Sequence, residues 1–302
     1  MIEPRRRSAR RRKQRQRRLA ALAILAATAV VTLAALQLRG AFDAGPRVVI
    51  ADPGSLRLPT YETPLATKDP GPAAANAAEQ IDDGLLNVIP AGLAVTHAGR
   101  GKPWVALTFD DGPSQYTLQV LRTLAGHHQH ATFFVTGYAA TANPFLLRQI
   151  RAGGDAFGDH TVTHTQLTRE KPAKRRWELL STAERVQAAT GVRVTLFRPP
   201  YGESSRSINR MAREIGMLPI TWSVDSRDWT RPGVKQIVRR ALAGAHPGGI
   251  ILLHDGGGDR RETVKALPLI LKALARRHLI SVTLPTLLNA QAPEHGDLVV
   301  RS

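Results

Sequence analysis

The sequence contains no cysteine in 302 residues. That absence excludes a disulfide framework, a thiolate metal site and a cysteine nucleophile, and it leaves the compartment open. Any metal must be held by His, Asp or Glu, a donor set that suits zinc and similar divalent ions. No internal sequence repeat is visible, so nothing points to a repeat array. Acidic residues are scarce beside basic ones, 24 against 42, and the formal net charge is +18. The excess is uneven: residues 1–18 hold nine Arg and Lys13 against Glu3 alone, a net +9. The remainder is diffuse, with small clusters at Lys174-Arg175-Arg176, Arg239-Arg240 and Arg276-Arg277. Such a balance is compatible with nucleic acid, anionic lipid or an anionic wall polymer.

Leu19 to Leu38 follows the basic head, twenty residues rich in Ala, Leu and Val and free of charge. As a helix this run would span about 30 Å, the thickness of a bilayer's hydrocarbon core. Arginines on its N-terminal side alone keep that end cytoplasmic by the positive-inside rule, and the rest of the chain then lies outside. The expected organisation is a basic head (1–18), a single transmembrane signal anchor (19–38) and the remaining chain outside the cytoplasmic membrane. Ala27-Thr28-Ala29 resembles a small-residue cleavage site, and cleavage there would release the protein, but it would leave an apolar new N-terminus. A nucleic-acid tail would explain the arginines and not the apolar run, so no nucleic acid is expected. Residues 39–101 are rich in Pro, Ala and Gly and read as a flexible stalk with a span of roughly 40–50 Å. Within it, Ile81 to Val95 is apolar enough to add an outer strand or short helix to the next domain.

From Lys102 to Leu288 apolar, β-branched runs alternate with helical patterns. Strands are expected at 104–109, 131–136, 155–158, 193–197, 218–224, 249–253 and 279–284, and helices at 114–127, 143–153, 169–189, 204–216, 232–245 and 261–277. This is the pattern of an α/β domain with a parallel sheet, closed into a barrel or wound open. In a barrel, functional residues belong at the carboxyl ends of the strands. Residues 289–302 read as a C-terminal tail.

The strand ends carry chemistry. Thr108-Phe109-Asp110-Asp111-Gly112-Pro113 closes the first strand with two adjacent carboxylates, which alternate in direction along an extended chain. One of them could bind a metal while the other stays free beside it, as metal-assisted hydrolysis requires. After the third strand, His160 and His164 stand four apart and would face one side of a helical turn, able to grip one ion. After the fourth, Arg198-Pro199-Pro200-Tyr201-Gly202 offers a backbone N–H at Tyr201 held rigid by two prolines, and Arg198 could orient a carboxylate. Alone, that string also reads as a plain proline turn. After the fifth come Asp225-Ser226-Arg227-Asp228-Trp229, and after the sixth Leu252-Leu253-His254-Asp255. Acids on the neighbouring strand end would raise the His254 pKa and make it a proton donor near neutral pH.

Taken together and in order, these five segments resemble the polysaccharide deacetylase family (the NodB-homology domain of carbohydrate esterase family 4), over roughly residues 102–288. The resemblance implies a distorted (β/α)7–8 barrel and a hydrolase of linear amides that removes acetyl groups, usually from N-acetylglucosamine units of a polymer. It implies one divalent ion, Zn2+ or another such as Co2+, on Asp111, His160 and His164. Asp110 would be the general base and His254 the acid that protonates the leaving amine. The Tyr201 N–H would hold the oxyanion, Arg198 would orient Asp110, and Asp228 with Asp225 would tune the pair. Trp229 and Leu252 would line the acetyl and sugar pocket. One departure is visible: Asp159 stands where the family usually has Asn before the first metal histidine, and it is expected to act on an imidazole or on metal choice.

The expected substrate is peptidoglycan, chitin-like polymer or another N-acetylhexosamine polysaccharide. Two alternatives stand beside it: an O-acetyl esterase on a glycan such as xylan, and a non-catalytic wall-binding module. Loops 138–144, 202–207 and 256–261, where substrate choice would lie, carry no readable code.

Overall fold

The computed structural model describes residues 80–299. The basic head, the expected anchor at 19–38 and most of the expected stalk lie outside the described residues. Among the described residues no helix is long and apolar enough to cross a membrane.

Two short elements come first, α1 (Asp83–Val88) and β1 (Ala94–Val95). Then β2 (Trp104–Asp110), α2 (Thr117–Gly126), β3 (Ala131–Val135), α3 (Gly137–Ala142), α4 (Pro144–Ala152) and β4 (Ala156–Asp159) follow. Next come α5 (Pro172–Thr190), β5 (Leu196–Phe197), α6 (Arg206–Glu214), β6 (Leu218–Pro219), β7 (Val224–Asp225) and α7 (Val234–Ala243). The chain ends with β8 (Ile250–His254), α8 (Arg261–Arg276), β9 (Ile280–Ser281), α9 (Leu284–Ala290) and β10 (Leu298–Val299).

The strands pair in the order β6-β5-β4-β3-β2-β8-β7, all parallel, and β9 adds to the start of β2. Strand alternation divides their side chains. Val105, Leu107 and Phe109 of β2 and Ile251 and Leu253 of β8 join one core with Leu121, Ile150, Val186, Ile237 and Leu271 of the covering helices. Ala106 and Ile250 turn to the other face and pack with Phe134, Leu196 and Leu218.

The ring of strands is incomplete. The strand expected at 218–224 is split into β6 and β7: Ile220 still donates to Phe197 O (2.7 Å) and bridges Val95, and the chain then crosses to β8, where Ser223 N–H donates to Ile250 O at 3.1 Å. The segment around β1 fills the break: Thr221 N–H donates to Val95 O (2.8 Å) and Ala98 N–H to Gly248 O (2.8 Å). Ile81, Leu85, Leu86 and Ile89 are buried against Leu284, Leu287 and Leu288 of α9. Each such burial is worth about 1.5–3 kcal/mol. Residues from Ile81 on therefore pack with the domain that follows, as the apolar run Ile81 to Val95 suggested, ahead of the expected boundary at Lys102. Leu298 and Val299, within the expected tail, pair as β10 antiparallel with β1.

Helix boundaries follow local signals. The helix expected at 143–153 is α4, started by Pro144 at its first position, and a further short helix, α3, capped by Thr136, stands before it where a loop was expected. Pro172 opens α5, and Gly191 at φ 76° ends it in the left-handed conformation that favours glycine.

Candidate active site and metal centre

Asp110 is the last residue of β2 and turns inward with Thr108; its side chain is buried. Arg198, wholly buried after β5, donates from Nη1 to Asp110 Oδ1 (2.7 Å) and to Thr108 Oγ1 (2.8 Å), and from Nη2 to Thr221 O (2.9 Å). Its guanidinium lies 4.0 Å from the Phe134 ring centroid. Burial pushes the Asp110 carboxyl above its ordinary value, while the charges of Arg198 and His254 oppose the rise.

Asp111 leaves the strand at φ 71°, a left-handed conformation that breaks strand alternation. The two carboxylates, expected to point apart, instead both approach His160: Nε2 lies 3.7 Å from Asp110 Oδ2 and 3.5 Å from Asp111 Oδ1. His164 Nε2 is 3.3 Å from the same Asp111 oxygen. The segment 160–164 is not the helical turn expected from the spacing. Thr161 (φ 63°) and His164 (φ 54°) are both left-handed, and this loop geometry makes the two imidazoles converge, centroids 4.9 Å apart. His160 Nδ1 lies 2.8 Å from Arg198 O; a carbonyl only accepts, so Nδ1 carries the proton and Nε2 presents a lone pair. Burial holds the His160 pKa down to about 3, so the ring is neutral, as a ligand must be.

Donor atoms of Asp111, His160 and His164 all lie within 4.8 Å of one another. Asp111 Oδ1 is buried without a hydrogen-bond partner. An unsatisfied carboxylate oxygen beside two imidazole nitrogens fits a divalent ion, and the O, N, N donor set suits zinc. Two glycines make room here. A Cβ at Gly256 would strike the Asp111 carbonyl, and one at Gly257 (φ 69°) would strike the Asp111 carboxylate. A triple glycine after the sixth strand was the available signal for this close approach.

On the other side, His254 ends β8 with its Nδ1 2.7 Å from Asp228 Oδ1. Asp228 Oδ2 accepts the His254 backbone N–H (2.8 Å) and the Thr263 hydroxyl (2.7 Å). Burial alone would lower the His254 pKa; the Asp228 charge outweighs it, with help from Asp110 and Asp111, and raises it to about 9. For Asp228, burial would raise the carboxyl, but His254 and Thr263 hold it below its ordinary value. Asp225, grouped by the sequence with Asp228, instead accepts the Arg227 N–H at 2.8 Å in a local turn. Asp228 alone of the two bonds to His254.

Tyr201 is left-handed (φ 62°) in the short 3-10 turn Pro200–Gly202, and its exposed ring meets His164 edge-on at 4.6 Å. Trp229 is exposed beside Asp228, and Leu252 is buried two residues before His254, opposite Thr108 and Asp225 in register. Asp159 does not face the imidazoles. Its Oδ1 accepts the Thr161 N–H (2.8 Å), and it is close enough to Glu178 of α5 for that charge to raise its pKa further beyond the effect of burial. The expected action on an imidazole is therefore corrected: after the inward Gly158, strand alternation sends Asp159 outward to the helix layer. Sequence reasoning also missed Thr108, Thr263 and Glu178. Thr108 opens the Thr-Phe-Asp-Asp-Gly-Pro string but was given no task there; Thr263 and Glu178 stand in no recognisable string, and the three act across 16 to 90 residues of sequence.

A parallel α/β sheet whose strand ends gather paired carboxylates, three imidazoles and a buried arginine has the make-up of a metal-assisted hydrolase. Residues 97–220 match the family model described as Polysaccharide deacetylase. The chain is 36% identical over 202 residues to a peptidoglycan-N-acetylglucosamine deacetylase of Bacillus cereus, a match covering 66% of this chain and 94% of that one. It is 38% identical over 196 residues to a chitooligosaccharide deacetylase of Bradyrhizobium sp., covering 61% and 90%. Among solved structures, a peptidoglycan N-acetylglucosamine deacetylase superimposes with a TM-score of 0.62 at 32% identity, covering 64% of this chain and 91% of that chain. The chain belongs to the polysaccharide deacetylase family and is an enzyme, a carbohydrate deacetylase.

Proposed function

We propose that the protein removes N-acetyl groups from N-acetylglucosamine units of a cell-wall polysaccharide, with peptidoglycan as substrate and a chitin-like polymer as second choice. The observation that carries the chemistry is the pairing of each proton-transfer group with its own opposite charge, Asp110 with Arg198 and His254 with Asp228, beside the Asp111, His160 and His164 cluster. The named relatives, a peptidoglycan and a chitooligosaccharide deacetylase, support the substrate class.

Asp111, His160 and His164 would hold the ion, in this reading Zn2+. When bound, the ion supplies Lewis-acid chemistry to the amide carbonyl and to water. Asp110, aimed by Arg198, which Thr108 holds in turn, takes the proton from the attacking water at its free carboxylate oxygen. His254, its Nδ1 bonded to Asp228, presents Nε2 as the acid that protonates the departing amine. The Tyr201 N–H, first after two prolines that have none, would hold the oxyanion, and Trp229 and Leu252 would wall the acetyl group. Arg198 fixes Asp110, and its charge opposes the rise that burial gives the carboxyl.

The apolar run 19–38 after nine arginines supports a membrane anchor with the catalytic domain outside the cytoplasmic membrane. The same residues would serve an O-acetyl esterase, so the test carries both arms. Full-length protein is given peptidoglycan, chitin oligomers and acetylated xylan, and acetate release is read with and without exhaustive chelation. Release from the first two, lost on chelation and restored by Zn2+, is expected. Release from xylan alone assigns the esterase reading, and activity unchanged by chelation removes the metal.

A further inference from the structure

Glu178 lies on the second turn of α5, fully buried, and the mechanism above makes no use of it. Its carboxylate accepts three hydrogen bonds, all from the short loop between the two histidines. Oε2 takes the backbone N–H groups of Val162 and Thr163, both at 2.9 Å, and Oε1 takes the Thr163 hydroxyl at 2.7 Å. The two residues it grips lie between His160 and His164. The same loop is fixed from other directions: Thr161 O and Val162 O accept the N–H groups of Gly137 (2.9 Å) and Tyr138 (3.1 Å), and Thr161 N–H donates to Asp159 Oδ1 (2.8 Å).

The loop needs such holding. Thr161 and His164 are both left-handed, and Thr161 is β-branched, which makes positive φ costly for it. Nothing local recommends this backbone, since no helix or strand covers 160–164. With its N–H groups unbonded and buried, the loop would relax toward ordinary dihedrals, and the His164 imidazole would swing away from His160 and Asp111. A carboxylate is the one side chain able to accept from two adjacent N–H groups and a hydroxyl at once.

We infer that Glu178 is the positioning residue of the metal centre: by bonding the Val162–Thr163 turn it sets the spacing of His160 and His164 and hence the affinity for the divalent ion. It touches neither the ion's donors nor the substrate, and it acts through the loop backbone. This rests on the reading of Asp111, His160 and His164 as ligands.

Three variants of the full chain separate this role from general stability. Glu178→Gln keeps one oxygen for the two N–H groups, and its amide donates to the Thr163 hydroxyl. Glu178→Asp draws the carboxylate back by one methylene, out of reach of the turn. Glu178→Leu removes it. Zn2+ affinity is measured by competition with a chromophoric chelator, the Co2+ d–d spectrum reports ligand geometry, and thermal unfolding of the metal-free protein reports the fold. Glu178→Gln is expected to bind Zn2+ within about threefold of wild type, and Glu178→Asp and Glu178→Leu about 10–100-fold more weakly, the range for partners behind metal ligands. The weakened variants should show an altered Co2+ spectrum. Folded Glu178→Leu with wild-type Zn2+ affinity and spectrum overturns the inference. If Glu178→Leu does not fold, the Asp and Gln variants decide, and equal affinities in those two overturn it. Wild-type protein that takes up no Zn2+ overturns the ligand reading and this inference with it, whereas uptake by wild type and variants alike overturns this inference alone.

Discussion

The two halves of the site differ in how complete they are. On the proton-transfer side every ionisable group has an internal partner: Asp110 has Arg198, and His254 has Asp228, which is itself held by Thr263. On the ligand side the groups are positioned by backbone and lack partners for the atoms that matter. His160 is fixed through Nδ1 and bare at Nε2, and Asp111 Oδ1 is buried with nothing to bond. One half is finished by the chain alone and the other by something brought from outside. Charge pairing sets pKa values without a ligand, whereas an unsatisfied donor set is stable only because surrounding contacts hold it open.

The sharpest way to break this division is Asp110→Asn. The substitution keeps the shape and an acceptor for Arg198, and removes the base. Turnover is expected to fall by about 10²–10⁴, the usual contribution of a positioned acid or base. Zn2+ binding, read by competition titration, should stay within about threefold, since Asp110 belongs to the other half. Loss of the metal together with turnover would show that the two aspartates had been assigned the wrong way round.

A smaller effect, read as a shift rather than a loss, follows from Asp228→Asn. His254 must be protonated to act as acid, and in the folded protein its pKa is raised from 6.5 to about 9 mainly by the Asp228 charge against the lowering effect of burial. Its active form is therefore present below about 9 and is lost as pH rises through that value. On the acid side Asp110 must be ionised, and burial raises its pKa, so activity is lost as pH falls toward the carboxylate range. The kcat profile should be a bell. With Asn at 228 the burial effect is unopposed by the main charge, and the alkaline limb should move down by one pH unit or more while the acid limb stays. An unmoved alkaline limb would mean that His254 is not the titrating acid.

Much of this division was legible from strings of residues at strand ends, because parallel α/β chains place chemistry there and because Asp-Asp-Gly-Pro, His-x-x-x-His and Arg-Pro-Pro-Tyr are compact in sequence. What stayed hidden was of two kinds. Backbone conformations reversed local expectations: a left-handed Asp111 brought together carboxylates that alternation would separate, and left-handed Thr161 and His164 replaced a helical turn. Partners reaching from afar left no pattern, as with Thr263 on Asp228, Glu178 on the 160–164 loop and the β1 segment in the gap between β6 and β8. Thr and Glu in such places look like any other Thr and Glu, and only the tertiary fold gives them a task. The family resemblance supplied the roles, and it also drew attention to Asp159, whose surroundings turned out to be the helix layer.

Asp159→Asn tests the boundary between the two halves most finely, because the sequence placed Asp159 with the ligands and the structure places it behind them. Its Oδ1 accepts the Thr161 N–H, its Oδ2 is buried with no partner, and Glu178 lies near enough to repel it. Burial and that neighbour push its carboxyl well above 3.8 in the folded state. A raised carboxyl pKa lowers stability progressively as pH climbs above the unfolded value, since the unfolded chain releases its proton first. Asn keeps the acceptor for Thr161 and replaces the repelled oxygen by an N–H donor, free to bond Glu178. The variant should therefore be more stable than wild type near pH 7, by about 1–3 kcal/mol, the usual cost of an unsatisfied buried polar group. The gain should shrink as pH falls toward about 4 and be gone below it, where Asp159 is protonated in both states. Thermal unfolding across that range measures it. Zn2+ affinity should change by less than about threefold, because the carboxylate does not face an imidazole; a tenfold change would return Asp159 to the metal side of the site.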